Sequence, residues 1–490
     1  MITTADRSQS LSAISESSVT HGKIQRVLTT VCILLACISV AFENPLLSAV
    51  GILMPPLFWW LLFRPGHPAV LFFGVIFQWT QCYMPVVSAN NDGVAINEKY
   101  DGAPADIAVW FCYASLIVLS LGIHFYTKIG SKNKRAPTLS DQATQLSLKR
   151  LFYFYFIGLV LSVLIVAVSA RAGALRQPIL AFATIKSLPV FLILWTTLQR
   201  RKDLSYMLIV LGIEILIGFT GYFSAFKSTL FLAIIVGLGC YIDKKVSAVP
   251  IAIAFFLCLL LSSFWQTIKT DYRVFLNKGS NQQVIDVSIS ERLQFLAERA
   301  LSVSTGDLML GGESGMLRLG YIDYFAHALS NVPRNVPYQN GELWRGALEH
   351  TFMPRFFFPD KPIINESART MQFTGITVAG MDEGTSVSIG YPGESYIDFG
   401  IPVMFLPIFL LGIFYSFVYE TLSHGRFSLA GAGMATAVLL EFVTNLGSSN
   451  IGIVGGLTTG LIAFKIFELY AVPKIWPLLC EPNTGIGSSQ

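Results

Sequence analysis

An all-α polytopic membrane protein is the fold class the sequence predicts. Of its 490 residues 53% are hydrophobic and only 13% charged, and the mean hydropathy of +0.59 exceeds what a soluble core of that length would bury. Apolar runs recur along the chain at the length that crosses about 30 Å of hydrocarbon, ~20 residues each and fewer where neighbours shelter the ends. Basic residues then collect in every second loop. Together these observations predict about 12 transmembrane helices.

In order, the runs lie near 27–42, 47–63, 68–87, 106–126, 150–170, 187–199, 204–223, 229–242, 246–266, 401–420, 428–447 and 452–470. Lys and Arg in short loops are retained on the cytoplasmic side. Arg64, then Lys128 to Arg150, Arg200 to Lys202, Lys244, Lys245 and Arg426 all fall on one side, against Lys99, Arg171, Arg176, Lys186 and Lys227 on the other. Both termini are therefore expected in the cytoplasm. The first 26 residues, polar and without a cleavage site, read as a disordered cytoplasmic tail, and 471–490 as a second tail. Between two blocks of membrane domain, 27–266 and 401–470, the segment 267–400 is expected as a mostly helical subdomain on the outer face.

Six of the seven cysteines fall in predicted spans and Cys480 in the tail, so the outer segment has no disulfide or thiolate metal site. The formal charge of +4 gives no reason to propose nucleic acid as a partner. No HExxH, CxxC, P-loop or dinucleotide glycine motif is present, which disfavours zinc hydrolases, ATPases and soluble nucleotide-sugar enzymes.

Within 267–400, Ser288 and Glu291 have capping-box spacing before an apolar stripe at Leu293, Leu296, Ala297, Ala300 and Leu301, which predicts an amphipathic helix. A second helix is expected from about Ser314 to Ser330, closed by Pro333, with Arg318 one turn before Ile322 on its apolar stripe. A cation there snorkels to headgroups or points into a cavity. Next comes "FMPRFFFPDKP", Phe352 to Pro362. Three prolines forbid a regular helix, so the segment reads as an irregular ribbon at the interface or over a water-filled cavity, carrying Arg355 and Lys361 at headgroup depth. Such a device suits an anion anchored in the membrane. Equally, Arg355 and Asp360 could pair, or the cations could contact lipid phosphates.

That ribbon, followed by "GTSVSIGYPGESYIDFG" (Gly384 to Gly400) leading into a span and preceded by "FTGYFSAFKSTLF" (Phe219 to Phe231), resembles the O-antigen polymerase family, the Wzy-type oligosaccharide repeat-unit polymerases of bacterial cell envelopes. The resemblance implies a GT-C-like fold in the bacterial inner membrane. It also implies a substrate, undecaprenyl-diphosphate-linked oligosaccharide, and as partners membrane lipid, a chain-length regulator and a flippase. A nonreducing-end hydroxyl would attack the anomeric carbon of the growing glycan on the periplasmic face, with undecaprenyl diphosphate leaving. Fixed cations stabilise a departing diphosphate, so neither a metal nor another cofactor is required.

The cations expected to hold the diphosphate are Arg318, Arg355, Lys361 and Lys227; a snorkelling role is the bland reading of Lys227. The general base is sought among outer-face acids and imidazoles. Glu394 in "PGES" is the first candidate, with the alternative that it accepts loop amides, and His350, five residues before Arg355, is the second. Arg171 and Arg176 are expected to reach sugar or phosphate. Asp323 and His327, one turn apart, form a pair or a solvated polar face. Glu441 shares a face with Asn445 in the outer half of its span. The alternatives to a polymerase are an O-antigen ligase, a flippase or exporter of the same lipid-linked sugar, and a non-catalytic scaffold.

Overall fold

The computed structural model describes residues 4–130, 138–169, 171–173, 176–223, 225–244, 248–279, 285–353, 358, 361, 364–380 and 386–482. The chain is helical throughout, with no strand among the described residues, so backbone groups at membrane depth bond within their own segments. The helices begin with α1 (Thr4–Ile38), α2 (Pro45–Leu62), α3 (Val70–Asn91), α4 (Ile96–Lys99), α5 (Ala105–Gly130), α6 (Leu139–Gln145), α7 (Leu148–Ser169) and α8 (Arg176–Ala183). They continue with α9 (Ser187–Arg200), α10 (Leu204–Thr220), α11 (Phe226–Lys244), α12 (Val249–Leu276), α13 (Ile289–Ser302), α14 (Thr305–Leu319) and α15 (Asp323–Asn331). The last are α16 (Glu342–Phe352), α17 (Glu366–Thr374), α18 (Tyr391–Phe399), α19 (Phe405–Ser423), α20 (Ser428–Val443), α21 (Asn450–Tyr470) and α22 (Val472–Leu479).

Among the described residues nine helical stretches are long and apolar enough to cross a membrane: those of α1, α2, α3, α5, α7, α9 with the end of α8, α12, α19 and α21. The apolar helices α10, α11 and α20 are shorter. Every apolar run read from the sequence coincides with one of these helices. Three expectations need correction. Helix α1 starts at Thr4, within the segment expected to be disordered; 4–26 contains no proline and a single glycine, so nothing breaks the helix. The end of the chain is likewise not all tail, because α22 forms and Cys480 bridges to Leu146. Finally, the helix expected over Ser314–Ser330 is two helices. The break at Gly320–Ile322 follows from packing on α3, where the Tyr321 N–H donates to Gln81 O at 3.0 Å and a Cβ on Gly320 would stand 2.9 Å from the Pro85 ring.

Helix α12 runs ten residues past its expected end, and its 28 residues span about 42 Å, more than the hydrocarbon needs. The capping box at Ser288 forms as its spacing predicts, with both reciprocal bonds to Glu291 present.

The two ends of the bundle differ. At the end bearing the 277–400 insertion, Asn44 binds Asn90 and Val94 and the Arg292 guanidinium donates to Thr220 O at 2.7 Å. At the opposite end Arg64 pairs with Glu420 at 2.7 Å, Gln142 Nε2 donates to Arg426 O and Arg150 to Cys480 O. In the centre α5 and α19 meet glycine to glycine. A Cβ on Gly122 would lie 2.2 Å from Phe409 O, and one on Gly412 2.2 Å from Leu119 O, so this close crossing requires both residues to lack side chains.

Candidate functional site

Two features of the insertion end bear on chemistry. The first is a cluster of cations. Lys269 lies within electrostatic reach of Arg273, Arg318 and Lys227, and Arg273 within reach of Arg318. Lys269 and Arg273 are one turn apart on α12, Lys227 opens α11, and Arg318 closes α14. The Arg273 guanidinium sits over the Tyr222 ring at 4.8 Å and the Phe223 ring at 5.7 Å, which holds it in place by cation–π attraction, and its Nε has no partner among the described residues. No ion pair joins any of the four to a carboxylate among the described residues. Two acids of α12 and α14 are engaged elsewhere, Asp271 with Arg299 at 2.8 Å and Asp307 as the cap of α14, while Glu313 of α14 lines the adjoining groove. Like charges gathered without a counter-ion repel one another, and an anion placed among them would relieve that repulsion. Helices α3, α12 and α14 also enclose an apolar groove of about 850 Å3, lined by Val87, Leu259, Leu260, Leu308, Met309 and Met316 among others.

The second feature is a cavity of about 360 Å3 between the 3-10 turn Thr184–Lys186, α9, α10, α11 and α20. Lys186, Glu214, Ser228, Thr229 and Glu441 line it. Among the expected site residues, Glu441 is the acid that opens onto such a space.

Glu394 does not. It is 5% exposed, and its Oε2 accepts the Asn450 N–H at 2.8 Å, at the N-terminus of α21, where a carboxylate is favoured by the helix dipole. Burial pushes the Glu394 carboxyl up to about 8, with Glu366 adding to the rise and the Asn450 amide and Arg369 opposing it. Burial also raises Glu366, against Arg369 and Ser449. The rest of "PGESYIDF" is structural as well. Asp398 accepts the Leu343 and Trp344 N–H groups at 3.0 and 2.9 Å and so caps α16, while Ser395 accepts from the Trp344 indole at 3.1 Å. Tyr391 donates to Gln78 of α3 at 2.8 Å, and Gln78 in turn donates to Val443 O of α20. The motif fastens the insertion to the bundle, and the contact of Glu394 is with a backbone amide, the kind of role given as its alternative.

Of the four expected phosphate cations, the structure brings Lys227 and Arg318 together. Lys361 donates to His350 O and Met353 O at the C-terminus of α16, where a cation is favoured; His350 lies on that same last turn. Arg355 lies outside the described residues, as does most of its ribbon. Asp323 and His327 pair at 3.3 Å. Arg171 is exposed after α7, and Arg176 is exposed at the start of α8. The sequence reading missed Lys269 and Arg273, although a Lys-x-x-x-Arg spacing at the end of a long apolar run was their signal. No group of three or more His, Cys, Asp and Glu that could hold a metal ion stands among the described residues.

A family model described as a domain of unknown function (DUF8712) matches residues 107–438, more than half of the chain. The chain belongs to this family. The DUF8712 segment runs from α5 to α20 and takes in all four cations, Lys186, Glu214 and Glu394, while Glu441 and Asn450 follow it. No curated protein and no solved structure matches the chain.

Proposed function

We propose that the chain is a membrane glycosyltransferase that polymerises undecaprenyl-diphosphate-linked oligosaccharide units, as its resemblance to O-antigen polymerases implies. In this reading α10, α11 and α20 complete twelve spans in a GT-C-like arrangement in the bacterial inner membrane. The alternation of basic loops supports cytoplasmic termini and a periplasmic insertion.

The observation that carries the reading is the set of four cations, Lys227, Lys269, Arg273 and Arg318, drawn from three helices at one end of the bundle and without an ion-pair partner among the described residues. A diphosphate anchored in the membrane by a polyprenyl chain supplies the charge these groups lack. As the glycosidic bond to phosphate breaks, negative charge grows on the leaving oxygen, and preorganised guanidinium and ammonium groups stabilise it. The apolar groove beside α12 and α14 suits the hydrocarbon part of such a ligand.

The test is conversion of purified lipid-linked units into glycan ladders by the full chain in detergent with EDTA. Ladders that vanish in Lys269→Ala/Arg273→Ala support a polymerase whose leaving group is held by side chains. Transfer of finished glycan to a lipid A-core acceptor would instead indicate a ligase, and carrier translocation without new glycosidic bonds an exporter.

A further inference from the structure

An acid without a counter-ion is costly among membrane helices and marks function. The cavity bounded by α9, α10, α11 and α20 holds two acids in different states. Glu214 is neutralised: Lys186 Nζ lies 2.9 Å from its Oε2 and Tyr155 Oη donates to its Oε1 at 3.0 Å. Glu441 lines the same space, and no hydrogen bond or ion pair joins its carboxylate to any described residue. The hydroxyl-bearing residues Thr184, Ser187, Ser228 and Thr229 complete the polar lining. Its volume of about 360 Å3 falls within the ~300–1,000 Å3 of small-molecule sites.

The lining disfavours an anion, because Lys186, the one cation among its described residues, is already paired with Glu214. It fits a neutral polyol, whose hydroxyls exchange bonds with serine and threonine and whose most acidic proton can pass to the free carboxylate. Ser228 and Thr229 directly follow Lys227 in the first turn of α11, so the cavity and the cation cluster flank the same helix N-terminus.

We infer that this cavity seats the nonreducing-end sugar of the acceptor glycan and that Glu441 is the base for its attacking hydroxyl. The inference rests on the transfer reaction proposed above. The hydroxyl oxygen forms a bond to the anomeric carbon while its proton moves to the Glu441 carboxylate. The bond from that carbon to the phosphate oxygen breaks, and its electron pair leaves with the diphosphate.

Two measurements on the full chain test this. In the first, lipid-linked oligosaccharide extracted from cells lacking the chain is the substrate. Glu441→Gln is expected to slow elongation by at least about 100-fold with substrate affinity unchanged, and Glu441→Asp to recover part of the rate. An E441Q chain that elongates like the parent overturns the assignment, as does one that loses affinity and rate in equal measure. The second needs no activity: a hydrophobic carbodiimide should label Glu441, read by mass spectrometry, and glycan released from the same extract should block the label. If the parent makes no polymer, the transfer reaction fails, and blocking by glycan still supports a sugar site. Absence of labelling, or labelling that glycan does not block, overturns it.

Discussion

Lys186 and Glu214 form an ion pair at 2.9 Å whose two ends are unequally buried, the lysine side chain 29% exposed and the glutamate 7%. Breaking a buried pair by removing one partner is costly because the remaining charge is stranded. Lys186→Met should therefore destabilise the protein by about 3 kcal/mol, whereas Glu214→Gln leaves a lysine that can extend to water and should cost less. The double variant should recover most of the loss. Thermal unfolding in detergent checks the order, and equal losses from both single variants would contradict it.

Glu394 and Glu366 give a pH dependence with a definite sign. Both carboxyls hold protons more tightly in the folded chain than in the unfolded one. The stability they contribute is complete below the ordinary carboxyl value of 4.5, falls as the pH rises and is gone above about 8. The loss is on the order of a few kcal/mol. Melting temperatures across this range should show the decline, and Glu394→Gln, which keeps an acceptor for the Asn450 amide, should flatten much of it.

Asp398 anchors α16 through two backbone N–H groups. Asp398→Ala removes both acceptors from a buried site and should cost about 2 kcal/mol. Hydrogen exchange should quicken in the first turn of α16, with little change in α5 or α19.

At the α5–α19 crossing, Gly122→Ala places a methyl group against the Phe409 carbonyl and should destabilise by about 1–3 kcal/mol. Gly212 on α10 has nothing within 4 Å of its Cβ position, so Gly212→Ala should be neutral or stabilising by up to about 1 kcal/mol. Melting temperatures of the two variants provide the comparison.

What could be read from the sequence follows the range of the forces concerned. The apolar helices and the Ser288 capping box depend on neighbours within a turn or on hydropathy and were legible, whereas the spacing of Asp323 and His327 left open whether they pair, as they do at 3.3 Å. Arg318 stood out as a cation on an apolar stripe, but the break after it at Gly320 is made by Pro85 and Gln81 of α3, far away in the chain. Glu394 was recognisable as an important acid. Its contact was not, because the Asn450 amide lies 56 residues later. Lys269 and Arg273 were missed because α12 outruns its apolar segment. The contacts of Lys361 with His350 O and Met353 O were not legible, because the C-terminus of α16 is met only once the chain has folded back on it.

In the proposed reaction, cations at the insertion end that have no ion-pair partner among the described residues hold a membrane-anchored diphosphate. Binding of a polyprenyl diphosphate to the full chain in lipid nanodiscs, compared with the corresponding polyprenol, tests it most directly. The parent should bind the diphosphate far more tightly than the alcohol, and Lys269→Ala/Arg273→Ala should weaken diphosphate binding by about 100-fold while leaving the alcohol unaffected. Equal affinity of the variant and the parent for the diphosphate would contradict the claim.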